Sequence, residues 1–351
     1  MRTLIGKLGL AAFAGAAAYI AAGSPHEARA EIYCGYDNQP AFNAIPSQGP
    51  VNCPTPTDIN TSLIQTSNSQ IGNLVTHNRL ASPLLGGTEQ INCGDCFRGF
   101  GMAGSFSLGF NGRKNVTDRL SVLGGLSYNE FDSKSTKTTR APIFALGLRY
   151  DLADWGGSRP FFEVSGSLSP NERVQSTRVV FAGGIPGVLR GATDATTWSA
   201  NARAGWVYRL SPTGELAGYL SYSRTEQRYD GYTETGNLLL MPLTYGARTS
   251  SINVLKGVVQ HTQLFTSFLE GHVSAAIAHG FGARSAIAAT AVFFPGVFTA
   301  AAKDTTWAEF DARLGFRVMK GTVIDVFAIT TVGPKPVGNT IHGGLGLRYL
   351  F

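Results

Sequence analysis

Cysteine is scarce and confined. The 351 residues contain four, Cys34, Cys53, Cys93 and Cys96, all before Gly101, so nothing beyond that point can rest on disulfides or thiolate metal ligands. Charge is sparse as well: Asp, Glu, Lys and Arg make up 15% of the chain, and the formal balance is +6. That excess is too mild for a nucleic-acid binder. Uninterrupted apolar runs are missing from the body of the chain. Ala286 to Ala302 comes nearest, but Pro295-Gly296 breaks it and Lys303-Asp304 ends it, which reads as a strand and an apolar hairpin, not a spanning helix.

The amino-terminus supplies the one apolar stretch with a clear purpose. Arg2 and Lys7 precede Leu8 to Ala22, and Ala28-Arg-Ala30 offers the small residues of a cleavage site, so residues 1–30 read as a secretory signal. Removing them takes away Arg2, Lys7, Arg29 and Glu27 and leaves a mature chain at +4. The whole sequence has 43 Gly and a mean hydropathy of +0.02, which suits alternating strands better than membrane helices.

Alternation is what the chain has in abundance. In the closing segment Ile341, Gly343, Leu345, Leu347, Tyr349 and Phe351 share one face, and His342, Gly344, Gly346, Arg348 and Leu350 share the other. Thr196 to Leu210 puts Trp198, Trp206 and Tyr208 on an apolar face and Arg203 and Arg209 opposite. Thr306 to Met319 puts Phe310, Leu314 and Phe316 against Glu309, Asp311, Arg313 and Arg317. Four charges on one strand face cannot lie in a packed apolar core, whereas an apolar face capped by aromatics suits lipid and its interfaces. Further segments lie at 101–111, 119–130, 141–150, 160–169, 215–226, 247–262, 267–279 and 322–332, giving eleven in all. Short turns fall at 112–118, 151–159, 211–214 and 319–321, and longer connections at 131–140, 170–195, 227–246, 280–304 and 333–339. The expected fold is all-β, an antiparallel transmembrane barrel of about 12 strands, because such barrels favour even numbers. Parity therefore asks for one more crossing before Gly101, with residues 82–98 the candidate. Short turns face the periplasm in outer-membrane barrels, which puts the carboxy-terminus on that side.

Three segments result: the signal at 1–30, an extension at 31–97 and the barrel at 98–351. Within the extension, Ile59, Leu63, Ile64, Ile71, Leu74, Val75 and Leu80 approximate helical spacing in a polar background, so a helix near 58–80 is expected, either in the lumen or as a linker. The four cysteines allow three pairings, of which Cys34 with Cys53 and Cys93 with Cys96 is the simplest; the Cys93-Gly-Asp-Cys96 spacing lacks a second ligand pair for a metal.

The strand series ending in Gly346-Leu-Arg-Tyr349-Leu-Phe351 resembles the translocator β-domain of autotransporters, from about residue 98 onward. Phe97-Arg-Gly-Phe-Gly101, Ser158-Arg-Pro-Phe-Phe-Glu163 and Val337-Gly-Asn-Thr-Ile-His-Gly-Gly344 are similar to barrels of alphaproteobacterial type. The resemblance implies twelve strands, a helix in the pore, and an assembly signal carried by Gly346, Tyr349 and Phe351, with Gly344 where a polar residue is usual. It also implies outer-membrane lipid and the barrel-assembly machinery as partners. Two features depart from the family pattern: little chain precedes the barrel, and that chain carries cysteines.

The leading reading is a non-enzymatic outer-membrane barrel that resembles an autotransporter translocator, and two rivals are kept.

 The first is a free-standing porin-like channel or surface-binding barrel, with Arg203, Glu270, His272, Glu309, Asp311, Arg313 and Arg317 lining the lumen. The second is an outer-membrane hydrolase, but His261, His272, His279 and His342 show no local motif that fixes a triad. No catalytic residue, cofactor or metal ligand is assigned, no nucleic-acid partner is expected, and the barrel is expected to be monomeric.

Overall fold

The computed structural model describes residues 54, 56–85, 95–133, 135–182, 185–236, 240–285, 287–291, 294–300 and 302–351. Helix α1 (Pro56–Ala81) is followed by a 3-10 turn (Ser82–Leu85). The strands are β1 (Cys96–Ala103), β2 (Phe106–Asn115), β3 (Leu120–Ser133), β4 (Thr136–Asp151), β5 (Ser158–Ala182), β6 (Ile185–Ser211), β7 (Gly214–Tyr229) and β8 (Tyr232–Thr233). They continue as β9 (Leu243–Tyr245), β10 (Arg248–Leu264), β11 (Leu269–Arg284), β12 (Ile287–Ala291), β13 (Phe294–Ala300), β14 (Thr305–Met319), β15 (Thr322–Val332) and β16 (Thr340–Leu350). Twelve of them close an antiparallel barrel in which β1 pairs with β16, and the other four form a separate sheet in the order β13-β12-β9-β8.

The barrel is apolar outside and polar inside, as a lipid-facing wall requires. Phe110, Leu146, Phe162, Trp206, Leu220, Val259, Ile277, Phe310, Leu314 and Leu347 are exposed, whereas Arg149, Glu163, Arg203, Glu270, Asp325 and Arg348 are buried. The alternation expected for β6, β14 and β16 thus has the expected sense. No described helix is long and apolar enough to cross a membrane, and the apolar run near residue 290 forms the β12–β13 hairpin.

Three expectations need correction. The missing crossing is β1, not residues 82–98: Ser82–Leu85 is a 3-10 turn, and the strand starts at Cys96, just ahead of residue 98. The segment read as 101–111 joins the end of β1 to most of β2. Only Gly104 and Ser105 separate them, with Gly104 at φ 101°, so the composition barely changes across the hairpin. The connections read at 131–140 and 170–195 are largely strand. Pairing between β5 and β6 runs on to Ala182↔Ile185. Beyond the lipid the outward residues Arg173, Gln175 and Thr177 are polar, so the apolar alternation fades while the hydrogen-bond ladder continues.

The short-turn end carries residues 116–119, 152–157, 212–213, 265–268 and 320–321, together with Cys96 and Phe351. At the opposite end the β8, β9, β12 and β13 strands make a lid. Helix α1 occupies the lumen, as its polar composition allows. Ile59 and Leu63 near its start pack with Tyr232, Leu243, Tyr245 and Ile287 of the lid region. Leu80, Leu84 and Leu85 pack with Phe100, Phe131, Ile143 and Phe327 of the wall. The helix therefore starts under the lid and ends toward the short turns.

The β1–β16 seam explains the residue that departs from the usual assembly signal. A Cβ on Gly344 would lie 2.5 Å from Phe327 Cζ and closer still to the Gly101 carbonyl. Phe327 faces Gly344 across the β15–β16 pair, and the Arg98 guanidinium sits 4.9 Å from the Phe327 ring centre. A larger residue at 344 must displace that ring and strain the closing pair. Gly344→Gln, which supplies the customary polar residue, is expected to cost about 1–3 kcal/mol. Urea titration of the detergent-refolded barrel, followed by heat-modifiable migration, checks this.

Candidate functional site

The lumen is where charged side chains and a second element of the chain meet, and α1 fills much of it.

 
Its side chains bond to the wall along the whole length. Ser67 Oγ donates to the Ser285 carbonyl at 2.7 Å, Asn73 Nδ2 donates to Thr136 Oγ1 at 2.9 Å, and Asn78 Nδ2 donates to Ser223 Oγ at 2.7 Å. Ser135 Oγ donates to Ser69 Oγ at 2.7 Å. His77 Nε2 lies 3.5 Å from Glu172 Oε1, while Thr197 and Gln227 donate to Glu172 Oε2. The wall facing the helix is rich in Ser, Thr and Asn, short side chains that leave room for a helix and still satisfy its polar surface.

A buried network joins helix, wall and lid. Arg178 on β5 donates from Nε to Glu234 Oε1 at 2.9 Å and from Nη2 to Glu234 Oε2 at 2.6 Å, a two-pronged pair. The same guanidinium reaches the Met241 carbonyl at 2.8 Å and Ser62 Oγ of α1 at 3.3 Å. Glu234 also accepts from the Leu243 N–H and the Tyr245 hydroxyl. Burial pushes the Tyr245 phenol well above its ordinary range, with the adjacent Glu234 charge adding to the effect, so it stays a donor. Burial likewise raises Tyr232. Arg248 lies within 5.3 Å of the ring centres of Tyr229, Tyr232 and Tyr245. With its amide oriented to satisfy its neighbours, Gln70 of α1 accepts from Arg248 Nη2 at 2.7 Å and donates to Ser250 and Ser285.

The seven charges expected in the lumen all face inward, in separate groups. Arg203 pairs with Glu163, Nε to Oε1 at 2.7 Å. Glu309 accepts from Lys256 at 3.1 Å and from Trp307 at 2.8 Å. Asp311 accepts from Ser274 at 2.7 Å and lies 3.2 Å from His272 Nε2. Glu270 draws Arg313, Arg317 and Arg348 together, and Asp325 shares Arg313 and Arg348 while also meeting Arg98. Sequence reading missed Glu163, Lys256 and Asp325 as partners, although each lies at an inward position of its strand. Arg79 of α1 was also missed, since helical spacing alone does not say which wall a side chain meets.

Among the described residues no group of three or more His, Cys, Asp or Glu side chains is placed to hold a metal. Thr262 Oγ1 lies 2.9 Å from His272 Nδ1, which makes a hydroxyl–imidazole–carboxylate chain with Asp311. Thr262 is buried in the wall, so a substrate carbonyl has no approach to its hydroxyl. His279 and His342 contact Thr306 and Ser105 respectively. Cys96 is disulfide-bonded, while Cys34, Cys53 and Cys93 lie outside the described residues, as does the signal segment. Gly346 faces inward against Arg98, whereas the Tyr349 and Phe351 rings meet edge to face at 5.0 Å on the outer side of the rim.

The family model of the autotransporter beta-domain matches residues 102–326. No curated protein matches the chain in sequence. Among solved structures, the translocator domain of autotransporter NalP from Neisseria meningitidis is similar at a TM-score of 0.58 and 12% identity, over 83% of this chain and 99% of that one. The beta domain of the Bordetella autotransporter BrkA gives a TM-score of 0.41 at 11% identity, covering 74% and 99%. The toluene transporter TbuX of Ralstonia pickettii gives 0.43 at 10% identity, covering 74% and 90%.

Removing one partner of the Arg178–Glu234 pair leaves the other charge buried. Arg178→Ala is expected to destabilise the closed lid by about 3–5 kcal/mol. Limited proteolysis of the purified barrel should then cut near residues 230–247 at protease levels that leave the parent chain whole.

Proposed function

Because the chain belongs to the autotransporter β-domain family, we propose that it serves as an outer-membrane translocator barrel holding its own α1 segment in the pore after assembly. Its place is the cell outer membrane, with lipid against the exposed apolar wall. The observation that carries the proposal is the direction of α1, which starts beneath the lid and ends toward the short turns. With short turns in the periplasm, a chain in this position has its helix start at the outer face. Residues 31–95 are then the extension, of which α1 stays in the pore, the barrel starts at Cys96, and residues 1–30 are the export signal.

The role is non-enzymatic. Its inward charges are engaged in ion pairs and hydrogen bonds that brace the wall and seat the helix. Gly346, Tyr349 and Phe351 would present the carboxy-terminal strand to the barrel-assembly machinery, and the finished barrel would work as a monomer. The simplest cysteine pairing is Cys34 with Cys53 and Cys93 with Cys96, and Cys96 is disulfide-bonded.

Planar-bilayer recording tests the occupied pore. The mature chain is expected to conduct close to baseline, and a variant lacking residues 31–85 should show large, well-resolved openings. Equal conductance of the two proteins would rule against α1 as the obstruction. Mass spectrometry of the outer-membrane form should give an amino-terminus at Glu31; a shorter form beginning within α1 would contradict an intact pore segment.

A further inference from the structure

Two adjoining cavities lie beside the lower half of α1, of about 160 Å³ and about 40 Å³. The larger is far above the roughly 15 Å³ that a single water needs. Arg79, Ser82, Arg203, Tyr219, Lys256 and Glu309 line both, so the two meet at a waist with three cations and one carboxylate. The larger cavity adds Arg98 and Arg313 against Asp311.

Arg79 is the distinctive member. Its Nη1 lies 3.4 Å from Thr340 Oγ1, but Nε and Nη2, both buried, hydrogen-bond to no described residue. These two atoms form one edge of the guanidinium, the two-donor fork that fits two oxygens of one oxyanion. The neighbouring carboxylates are already engaged, Glu309 by Lys256 and Trp307 and Asp311 by Ser274 and His272. A buried fork without a carboxylate needs water or an anion at its two donors, and only an anion also answers its charge.

We propose that this waist is a binding site for a small tetrahedral dianion of the phosphate or sulfate type, gripped by Arg79 with Lys256 and Arg203 in support. Enclosure inside the lumen restricts the ligand to a free solute, because a lipid headgroup carries acyl chains that cannot follow it through the wall. The lid and the packed upper half of α1 close the other route, so the solute enters from the periplasmic end. The site is independent of whether the barrel delivers its amino-terminal extension.

The test is calorimetric titration of the full mature chain in detergent with inorganic phosphate at pH 8, holding ionic strength constant with chloride. Saturable binding is expected, with sulfate competing. Arg79→Gln and Arg79→Lys should each weaken it by more than about tenfold, the second because lysine keeps the charge and loses the fork. Arg317→Gln, which lies outside both cavities, should bind as the parent does. The proposal is overturned if no saturable heat is seen, if chloride competes as well as sulfate, or if the folded Arg79→Lys protein binds phosphate like the parent. The chloride comparison uses only the parent chain and stands even if neither Arg79 variant folds.

Discussion

Lipid offers no partner for an open strand edge, so the pairing of β1 with β16 is the contact on which every other part of this molecule depends. That seam runs from Cys96↔Leu350 to Ala103↔Gly343. Glycines at 344 and 346 keep its inner face thin enough for Phe327 and Arg98 to lie across it. Arg98 in turn meets Asp325, which is shared with Arg313 and Arg348, so closure of the wall and the charge network at the short-turn end form together. Asp95 adds a rim contact by accepting from the Asn115 N–H and pairing with Lys114.

Once closed, the barrel presents a polar interior that a fully apolar helix would leave unsatisfied. The Ser, Asn and Gln side chains of α1 answer that surface, and its few large apolar residues gather into islands against the lid, Trp307 and Phe100. Neither half is suited to stand alone. The helix has too little apolar surface to hold itself together in water, and the wall facing it has too many short hydroxyl side chains to pack against itself.

Those relations set how much could be read from the chain. Lipid imposes an apolar residue at every second position, so Trp206, Phe310, Leu347 and their neighbours disclosed strand and face together. Pro295-Gly296, which argued against a spanning helix, falls within β13 at a register shift next to the β12–β13 hairpin. Where lipid stops, so does the signal: the upper parts of β5 and β6 continue as strands with polar residues on both faces. β1 was hidden by its brevity and by the tight Gly104-Ser105 turn. The lumen charges were legible as inward, but their partners were not, because Arg178 and Glu234 are 56 residues apart and Arg203 and Glu163 are 40 apart. Pairings of that kind follow from strand register, which alternation alone does not supply.

Helix α1 has 26 residues, about 39 Å of rod at 1.5 Å per residue, and it bonds to the wall from Ser67 to Asn78 through side chains that reach sideways. A pull on Pro56 along the pore would load these contacts in shear, all at once, instead of peeling them one after another. The same contacts approached from the side, during closure of the wall around the helix, form one by one. The arrangement is thus mechanically lopsided: easy to build strand by strand, and hard to extract by tension.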